Sequence, residues 1–369
     1  MAPYHRSDTL ATALSSAGEP VGSDPDIGHV IAVLLPMSGE AGLWGPSCIA
    51  CAQLALHEIN RDGGIQGECL QPIFLDADAG KIDALHREMA ALIDARVIRA
   101  VVGMTVSSVR QRLNLVIRGR VPFIYTPLYE GNERAANVFA IGETPSEQLA
   151  PAIVQLTRSL GVRRWALVGN DYVWPRVSHA VARRVIRRHH GEVVFERYVP
   201  FGLVEPAHLL DSLARSRPDI VIVSLVGQDA VEFNRSFGAM NLDRQMFRFS
   251  SAVDENVLLA TGGTNTKRLF VASSYFANLD TQRNQAFRER YRAMHTVRPP
   301  VLNALGQSVY EGMSLYASMA ASSDNHRLNA PVIYRSARCG RFISNQRRET
   351  SIYLARADGH QFAVLRQLT

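Results

Sequence analysis

The feature that most constrains this chain is a regular alternation of short apolar runs with stretches of helical spacing. Residues 29–35 form a run typical of a buried strand, and residues 46–60 carry apolar side chains at helical intervals. The alternation pauses near Gly142 and then starts again. Strands that alternate with helices indicate parallel sheets with helices on both faces. We therefore predict an α/β protein of two doubly wound parallel-sheet lobes, with a ligand-binding cleft between them.

The restart near Gly142 also predicts how the chain is divided. Its 369 residues are enough for two domains. We predict a flexible leader and two lobes of two segments each: residues 1–27 for the leader, 28–142 plus 275–337 for the N-terminal lobe, and 143–274 plus 338–369 for the C-terminal lobe. The end of the chain alternates as a β-hairpin does.

The first 27 residues decide the predicted location. A secretory signal needs a continuous apolar run of about 7–15 residues. The longest apolar run here, residues 10–14, is interrupted by Thr12 and followed by acidic residues. We therefore predict a cytoplasmic protein, with a periplasmic one as the alternative if the true start of the gene lies upstream.

Composition and charge are those of an ordinary soluble protein. Hydrophobic residues make up 47% of the chain and charged residues 20%, and the net charge is +6. The one dense basic stretch, residues 183–190, is interpreted as a solvated helix face with cations near the C-terminus of the helix. Docking of an acidic partner or RNA is the alternative. We predict no direct binding of nucleic acid, and a homo-oligomer is left open.

The motifs of common enzyme classes are missing. The sequence has no G-x-S-x-G elbow, no H-E-x-x-H, no P-loop, and no G-x-G-x-x-G after a strand. Cys48 and Cys51 have C-x-x-C spacing, but no second pair lies near enough to complete a zinc site. We interpret them as small packed residues, with a redox pair as the alternative. The sequence therefore predicts a binding protein without catalytic residues, metal or cofactor.

Two aromatic residues follow a predicted strand and suggest where a ligand binds. Residues 165–168 form the strand, and Tyr172 and Trp174 follow it before a helical pattern begins. In open α/β sheets, ligands bind at the carboxyl ends of strands. We predict that both rings form a wall of the cleft. Packing of the rings against a neighbouring loop is the alternative.

Hydroxyl-rich loops follow two strands of the first lobe. Thr105 and Ser107 come after the predicted strand at residues 100–103, and Tyr125, Thr126 and Pro127 stand at the end of the predicted strand at residues 121–125. Hydroxyls donate and accept hydrogen bonds, and N–H groups at the start of the following helix favour a carbonyl or anionic oxygen. These residues are predicted to bind a small polar ligand. Ser107 could instead, or in addition, cap the helix that follows.

Loops of the second lobe supply weaker candidates. Gly227, Gln228 and Ser251 are included in the predicted ligand site because they follow strands of that lobe. A receptor for amino acids also needs an acid for the ammonium group. Asp254 or Glu255 could serve, so an amino-acid ligand stays open.

Several of these stretches together resemble the type I periplasmic-binding-protein family over about residues 28–365. The resemblance lies in residues 35–41 (LPMSGEA) and 55–67 (ALHEINRDGGIQG). Residues 125–131 (YTPLYEG), 168–176 (VGNDYVWPR) and 275–281 (YFANLDT) look most like the amide- and urea-binding branch. The resemblance implies that the loops at 105–107 and 125–127 and the aromatics Tyr172 and Trp174 bind the ligand. An amide sensor of the branch has tyrosine at two of these positions, Thr105 and Trp174, and threonine at Pro127, so the pocket is expected to be reshaped.

Two functions follow from the resemblance. The first is a cytoplasmic sensor of a small amide, urea or related polar ligand, which closes its lobes and regulates amide metabolism. Its partner would be a regulatory RNA-binding antiterminator protein. The alternative is a substrate-binding receptor that serves an ABC permease and binds urea, short amides or branched-chain-type amino acids.

Overall fold

A computed structural model describes residues 28–322, 332–338, 341–343, 346–347 and 350–369. The predicted leader, residues 1–27, lies outside the described residues. The described chain forms two α/β lobes, each built on one large sheet, which we call the first and the second sheet. No helix in these ranges combines the length and the apolar character that a membrane crossing requires.

The first sheet has five parallel strands in the order β2-β1-β3-β4-β5. Its elements in chain order are β1 (His29–Leu35), α1 (Gly45–Arg61), β2 (Leu70–Asp76), α2 (Ile82–Asp94), β3 (Val101–Gly103), α3 (Ser107–Ile117), β4 (Phe123–Tyr125) and β5 (Val138–Ala140). All seven residues of β1 are buried, because this strand lies inside the sheet and both of its faces are covered.

The second sheet has seven strands in the order β15-β14-β10-β9-β8-β6-β7. Its elements are α4 (Pro145–Leu160), β6 (Arg164–Asn170), α5 (Val173–Arg188), β7 (Glu192–Val199), α6 (Ala207–Arg215), β8 (Ile220–Ser224), α7 (Gly227–Ala239), β9 (Phe247–Ser250), α8 (Glu255–Thr261), β10 (Leu269–Ser273), β14 (Tyr353–Asp358) and β15 (Gln361–Gln367). The predicted hairpin is confirmed as β14 and β15. It adds an antiparallel edge to the otherwise parallel sheet.

Two further helices return the chain to the first lobe. They are α9 (Gln282–His295) and α10 (Ala304–Ala321). The long helix α10 packs along α1 and also contacts β3 and β4. Three short strands follow, β11 (Val332–Ile333), β12 (Arg341–Ile343) and β13 (Gln346–Arg347), before the chain enters the second sheet again. The exact limits of the lobes stay a prediction.

The C-x-x-C pair lies inside the helix packing of the first lobe. Cys48 and Cys51 are fully buried free thiols of α1. A Cβ atom on Gly306 of α10 would stand 3.2 Å from Cys51 Sγ, so the two helices approach closely at this point. Burial raises the pKa of both thiols, which keeps them protonated and unreactive. The interpretation as small packed residues is confirmed.

Candidate functional site

A cavity lies between the loops that follow the strands of the two sheets. Its volume is about 60 Å³, several times the roughly 10–15 Å³ that one water molecule needs. Eight of the ten predicted site residues line it: Thr105, Ser107, Tyr125, Thr126, Pro127, Tyr172, Trp174 and Ser251. The structure therefore brings residues from four separate loops to one place. Their role in binding stays a prediction.

Ser107 stands at the start of α3, where the helix presents its free N–H groups. The helix begins at Ser107 itself, and the residue in the capping position is Val106, which makes no side-chain capping bond. Ser107 therefore does not cap the helix. Its hydroxyl lies 3.5 Å from that of Tyr125. A serine hydroxyl beside a helix N-terminus suits a carbonyl or carboxylate oxygen of a ligand.

The Tyr125 side chain is part of the frame of the site. Its hydroxyl donates to the Thr105 carbonyl oxygen at 2.7 Å, and its ring lies 4.8 Å from the Arg110 guanidinium carbon. Burial raises the pKa of Tyr125 to about 12, so the phenol stays neutral. The Thr126 hydroxyl likewise donates a hydrogen bond to a main-chain oxygen, the carbonyl of Gly103. These two side chains join the loops after β3 and β4 and offer a ligand mainly their surfaces.

Arg110 fixes the same two loops from behind, a role that the sequence reasoning missed. The guanidinium is buried and lies 2.6 Å from Glu130 and 2.7 Å from Glu133, both in the chain that follows β4. Glu130 is close to Tyr125 in sequence. Arg110 lies in α3, and no local sequence motif marks it as the partner of these carboxylates. Two partly buried carboxylates that share one buried arginine hold this wall of the cavity in a fixed position.

Tyr172 and Trp174 form the aromatic wall predicted from the sequence. Tyr172 precedes α5 and Trp174 lies in its first turn, and their ring centroids are 6.4 Å apart. The ring of Phe201 supports Tyr172 from behind at 5.2 Å. Trp174 is 2% exposed, and its indole N–H has no hydrogen-bond partner among the described residues. The wall thus presents mainly apolar ring surface, and the Trp174 indole N–H is a donor without a partner among the described residues.

Asp254 is the one acid of the pair Asp254–Glu255 that lines the cavity. It caps α8, because its Oδ1 accepts from the backbone N–H groups of Asn256 at 3.1 Å and Val257 at 3.2 Å. Its Oδ2 is buried and accepts no hydrogen bond from any described residue. Burial raises the pKa of Asp254 to about 6, although the Trp44 indole and the two backbone N–H groups favour the charged form. The Trp44 N–H is close enough to favour the charged form, but neither it nor Asp254 Oδ2 makes a well-formed hydrogen bond with any described residue. At neutral pH the cavity therefore contains a carboxylate oxygen that can accept from a ligand.

Glu255 points to a different part of the molecule. It accepts from the backbone N–H of Ala277 at 2.7 Å and is not part of the cavity lining. Burial, with the neighbouring charge of Asp254, raises its pKa to about 8. Glu255 thus helps to hold the fold together. Of the two acids, only Asp254 is placed to bind the ammonium group of an amino-acid ligand.

Gly227 and Gln228 are predicted site residues that lie outside the cavity. The helix α7 begins at Gly227, so both residues belong to its first turn. The Gln228 backbone N–H donates to the Glu40 carbonyl oxygen at 2.9 Å. A Cβ atom on Gly227 would stand 1.8 Å from the same oxygen. These residues hold the loop after β1 against the second lobe.

The same loop makes a second contact across the cleft. The Asn256 side chain donates to the Leu43 carbonyl oxygen at 3.1 Å, and Asn303 donates to the Asn256 side-chain oxygen at 2.9 Å. Both contacts join the first lobe to the start of α8. Together with the contact at Gly227, they show the lobes closed over the cavity.

A buried polar cluster adjoins the cavity where the chain passes between the lobes. Arg338 lies 2.5 Å from Glu143, and both residues line the cavity. Ser274 donates to Glu143, and Arg338 also pairs with Glu311. We call this group the crossing cluster. Glu143 and Arg338 are 195 residues apart, so no local pattern in the sequence could have joined them.

Comparison with known proteins gives the family. A family model described as "Periplasmic binding protein" matches residues 30–332, which is most of the chain. The match covers the whole first sheet and the second sheet except for its C-terminal hairpin. Members of such a family bind ligands; the amide and urea branch within it stays a prediction.

Solved structures share the fold at low sequence identity. A periplasmic binding protein from Burkholderia mallei is 17% identical, with a TM-score of 0.80 over 92% of this chain and 94% of that one. A branched-chain amino acid transporter substrate-binding protein from Streptococcus pneumoniae, in complex with isoleucine, is 16% identical, with a TM-score of 0.79 over 92% and 99%. A solute-binding protein of an ABC transporter from R. palustris, in complex with benzoate, is 18% identical, with a TM-score of 0.76 over 93% and 96%.

The family match overturns the predicted location. The prediction of a cytoplasmic protein rested on residues 1–27 alone, whereas the matching family is one of periplasmic proteins and points to the periplasm. A weak apolar run at one end of a sequence is poorer evidence than a match over most of the folded chain. Over residues 30–332, this chain belongs to the periplasmic binding protein family.

Proposed function

We propose that the chain is the substrate-binding protein of an ABC transporter and takes an amino acid as its ligand. The observation that carries the proposal is the unused Oδ2 of Asp254 in the closed cavity. A buried carboxylate without a counter-charge is costly, and a ligand ammonium group would reduce that cost. Urea and neutral amides offer N–H donors but no positive charge.

The other walls of the cavity complement the rest of an amino acid. The ligand carboxylate is expected at the N-terminus of α3, where Ser107 contributes a hydroxyl. The aliphatic part of the ligand is expected against Tyr172 and Trp174, and Met104 and Leu305 add apolar surface to the lining. The two polar ends of the ligand would thus bind to different lobes, which stabilises the closed state.

The role in transport is supported by the kind of protein that shares the fold. Two of the similar structures are described as components of transporters, and one of them holds an amino acid. The closed lobes would be the form presented to an ABC permease. A regulatory role with an RNA-binding partner has no support from the family or from the solved structures.

A short amide or urea is the second candidate ligand. Residues 125–131 and 168–176 resemble the amide and urea branch, and they supply Tyr125, Thr126, Tyr172 and Trp174 to the cavity. Asp254 could accept from an amide N–H group as well as from an ammonium group. The two candidates differ in the effect of removing the charge at Asp254.

The test combines a ligand screen with one substitution. Amino acids, short amides, urea and benzoate are screened by thermal shift, since a ligand that binds only the folded form raises its stability. Affinities of the hits are then measured by calorimetry on wild type and Asp254→Asn, because asparagine keeps the helix cap and removes the charge. We expect an amino acid as the best ligand and at least a tenfold loss in the variant. An uncharged ligand with unchanged affinity in Asp254→Asn would contradict the proposal.

A further inference from the structure

We propose that a groove on the first lobe, which shares no lining residue with the ligand cavity, binds an oxyanion of the phosphate type. The groove lies between the end of α1, one face of α9 and the segment after β11, and we call it the arginine groove. Its lining includes five arginines: Arg61, Arg283, Arg290, Arg335 and Arg341. It shares no residue with the cavity between the lobes.

A buried carboxylate forms the base of the groove. Glu58 is 2% exposed and accepts from the Tyr310 hydroxyl at 2.6 Å. Arg290 donates to its Oε1 at 2.8 Å, and Arg335 donates to its Oε2 at 3.2 Å. The two arginines come from different segments and are held in place by one acid. Because the two side chains are already held in place, less of their conformational entropy would be lost when an anion binds.

The arginines keep donors for a ligand. A guanidinium has five N–H donors. Arg290 uses one on Glu58 and one on Tyr310, and Arg335 uses one on Glu58 and one on Asp62. Their side chains are 39% and 42% exposed. The remaining N–H groups are thus accessible from the groove.

The charges of the groove are unbalanced. The described residues around it contribute five guanidinium groups and the carboxylates of Glu58 and Asp62. Arg283 donates to the Arg338 carbonyl oxygen and forms no ion pair with any described residue, and Arg61 pairs with Asp62 on the surface. An excess of positive charge in a concave site attracts anions.

The geometry of the side chains favours phosphate-type oxygens over a halide. Guanidinium groups bind planar pairs of oxygens in a bidentate manner. The arginines approach from three segments, so a ligand with oxygens in several directions can contact more than one of them. Free pyrophosphate and the headgroup of an anionic phospholipid share this chemistry.

A second basic surface on the protein lacks these features and serves as a matched control. Arg184, Arg187 and Arg188 are exposed on α5 and form no ion pair with any described residue. They lie on one face of a helix and are not held by a buried acid. If positive charge alone binds oxyanions, this helix face should bind them as well as the groove does.

The first experiment measures pyrophosphate binding to the full chain by calorimetry at low ionic strength, where screening is weak. The triple variant Arg61→Gln/Arg283→Gln/Arg341→Gln leaves the two arginines on Glu58 intact. We expect it to bind at least tenfold more weakly than wild type. The control Arg184→Gln/Arg187→Gln/Arg188→Gln should change affinity less than threefold. Both variants should keep the melting temperature of wild type and its affinity for the cavity ligand.

The second experiment distinguishes the sources of the anion. Flotation with vesicles of phosphatidylglycerol, against phosphatidylcholine, tests for a lipid headgroup. Binding to the anionic vesicles only, lost in the groove variant, assigns the groove to a membrane surface; binding of pyrophosphate only assigns it to a free anion. Equal weakening in both triple variants, or no binding of either probe to wild type, would overturn the proposal.

Discussion

Two groups of buried polar side chains lie beside the cavity, and they differ in whether their polar atoms have hydrogen-bond or ion-pair partners. In the crossing cluster, the arginine at 338 has carboxylate partners in Glu143 and Glu311. In the cavity wall, the carboxylate of Asp254 and the indole N–H of Trp174 each keep an atom without a described partner. Polar groups are costly to bury unless they are paired. We therefore expect the first group to maintain the structure, and the second to gain its missing partners from a bound ligand.

The largest effect is expected from removing the cation of the crossing cluster. Arg338→Met removes the cation that Glu143 and Glu311 share, and breaking a buried ion pair in this way commonly costs about 3–5 kcal/mol. Chemical denaturation should show a loss of stability of that order. Arg112→Gln, which removes an exposed pair with Asp83, should cost roughly 1 kcal/mol or less.

A triple variant controls for simple loss of volume at this position. Adding Glu143→Gln and Glu311→Gln to Arg338→Met removes the uncompensated charges and should restore part of the stability. If the triple variant is as unstable as Arg338→Met, the charges of the crossing cluster do not determine the stability of this region.

The next effect concerns the aromatic side of the cavity. Trp174→Ala removes a buried ring from the wall, and loss of such an anchor commonly costs about 2 kcal/mol or more of binding energy. Calorimetry with the best ligand of the screen should show at least a tenfold loss of affinity. Trp174→Phe keeps the apolar surface and should lose less. Equal affinities for wild type and Trp174→Ala would place this ring outside the site.

Removing the unpaired charge should stabilise the protein without ligand. The pKa of Asp254 in the fold, about 6, lies above its ordinary value of 3.8, so ionisation weakens the folded state. The penalty is full above about pH 6 and absent below about pH 4. Asp254→Asn should therefore gain on the order of 1–3 kcal/mol at pH 8 and nothing at pH 4. A variant less stable than wild type at pH 8 would contradict the comparison.

The smallest effect is the response of binding to acid. An ammonium ligand needs Asp254 as a carboxylate, so affinity should fall as the pH drops through about 6, by about tenfold for each unit below it. In Asp254→Asn, the affinity of the same ligand should be weak and nearly constant between pH 5 and about pH 7. A wild-type affinity that does not change over this range would place the ligand cation elsewhere.

The fold and the walls of the cavity could be predicted because their signals are local. Apolar runs such as β1 and the helical spacing of α1 show the alternation directly, and strand ends identify the loops with Ser107 and Tyr172. These features depend on residues that are neighbours in sequence.

The parts that escaped prediction depend on helix starts and on distant contacts. Gly227 and Gln228 lie outside the cavity because α7 already begins at Gly227, which places both residues in the first turn of that helix. The choice between Asp254 and Glu255 depends on which of them caps α8. The crossing cluster joins side chains far apart in the chain, which only the folded backbone brings together.

The contact at Gly227 has a consequence for how the protein responds to its surroundings. The bond that holds the loop after β1 to α7 runs from the Gln228 amide to the Glu40 carbonyl, both of them main-chain groups. Such a bond carries no titratable proton and no net charge that salt could screen. This main-chain bond should thus be indifferent to acidity and ionic strength. The Glu40 side chain beside it is not, because burial and the carboxylate of Asp229 in α7 raise the pKa of Glu40. Acidity should therefore act on the contact between the lobes through these two carboxyl groups, as well as on the occupancy of the cavity through Asp254.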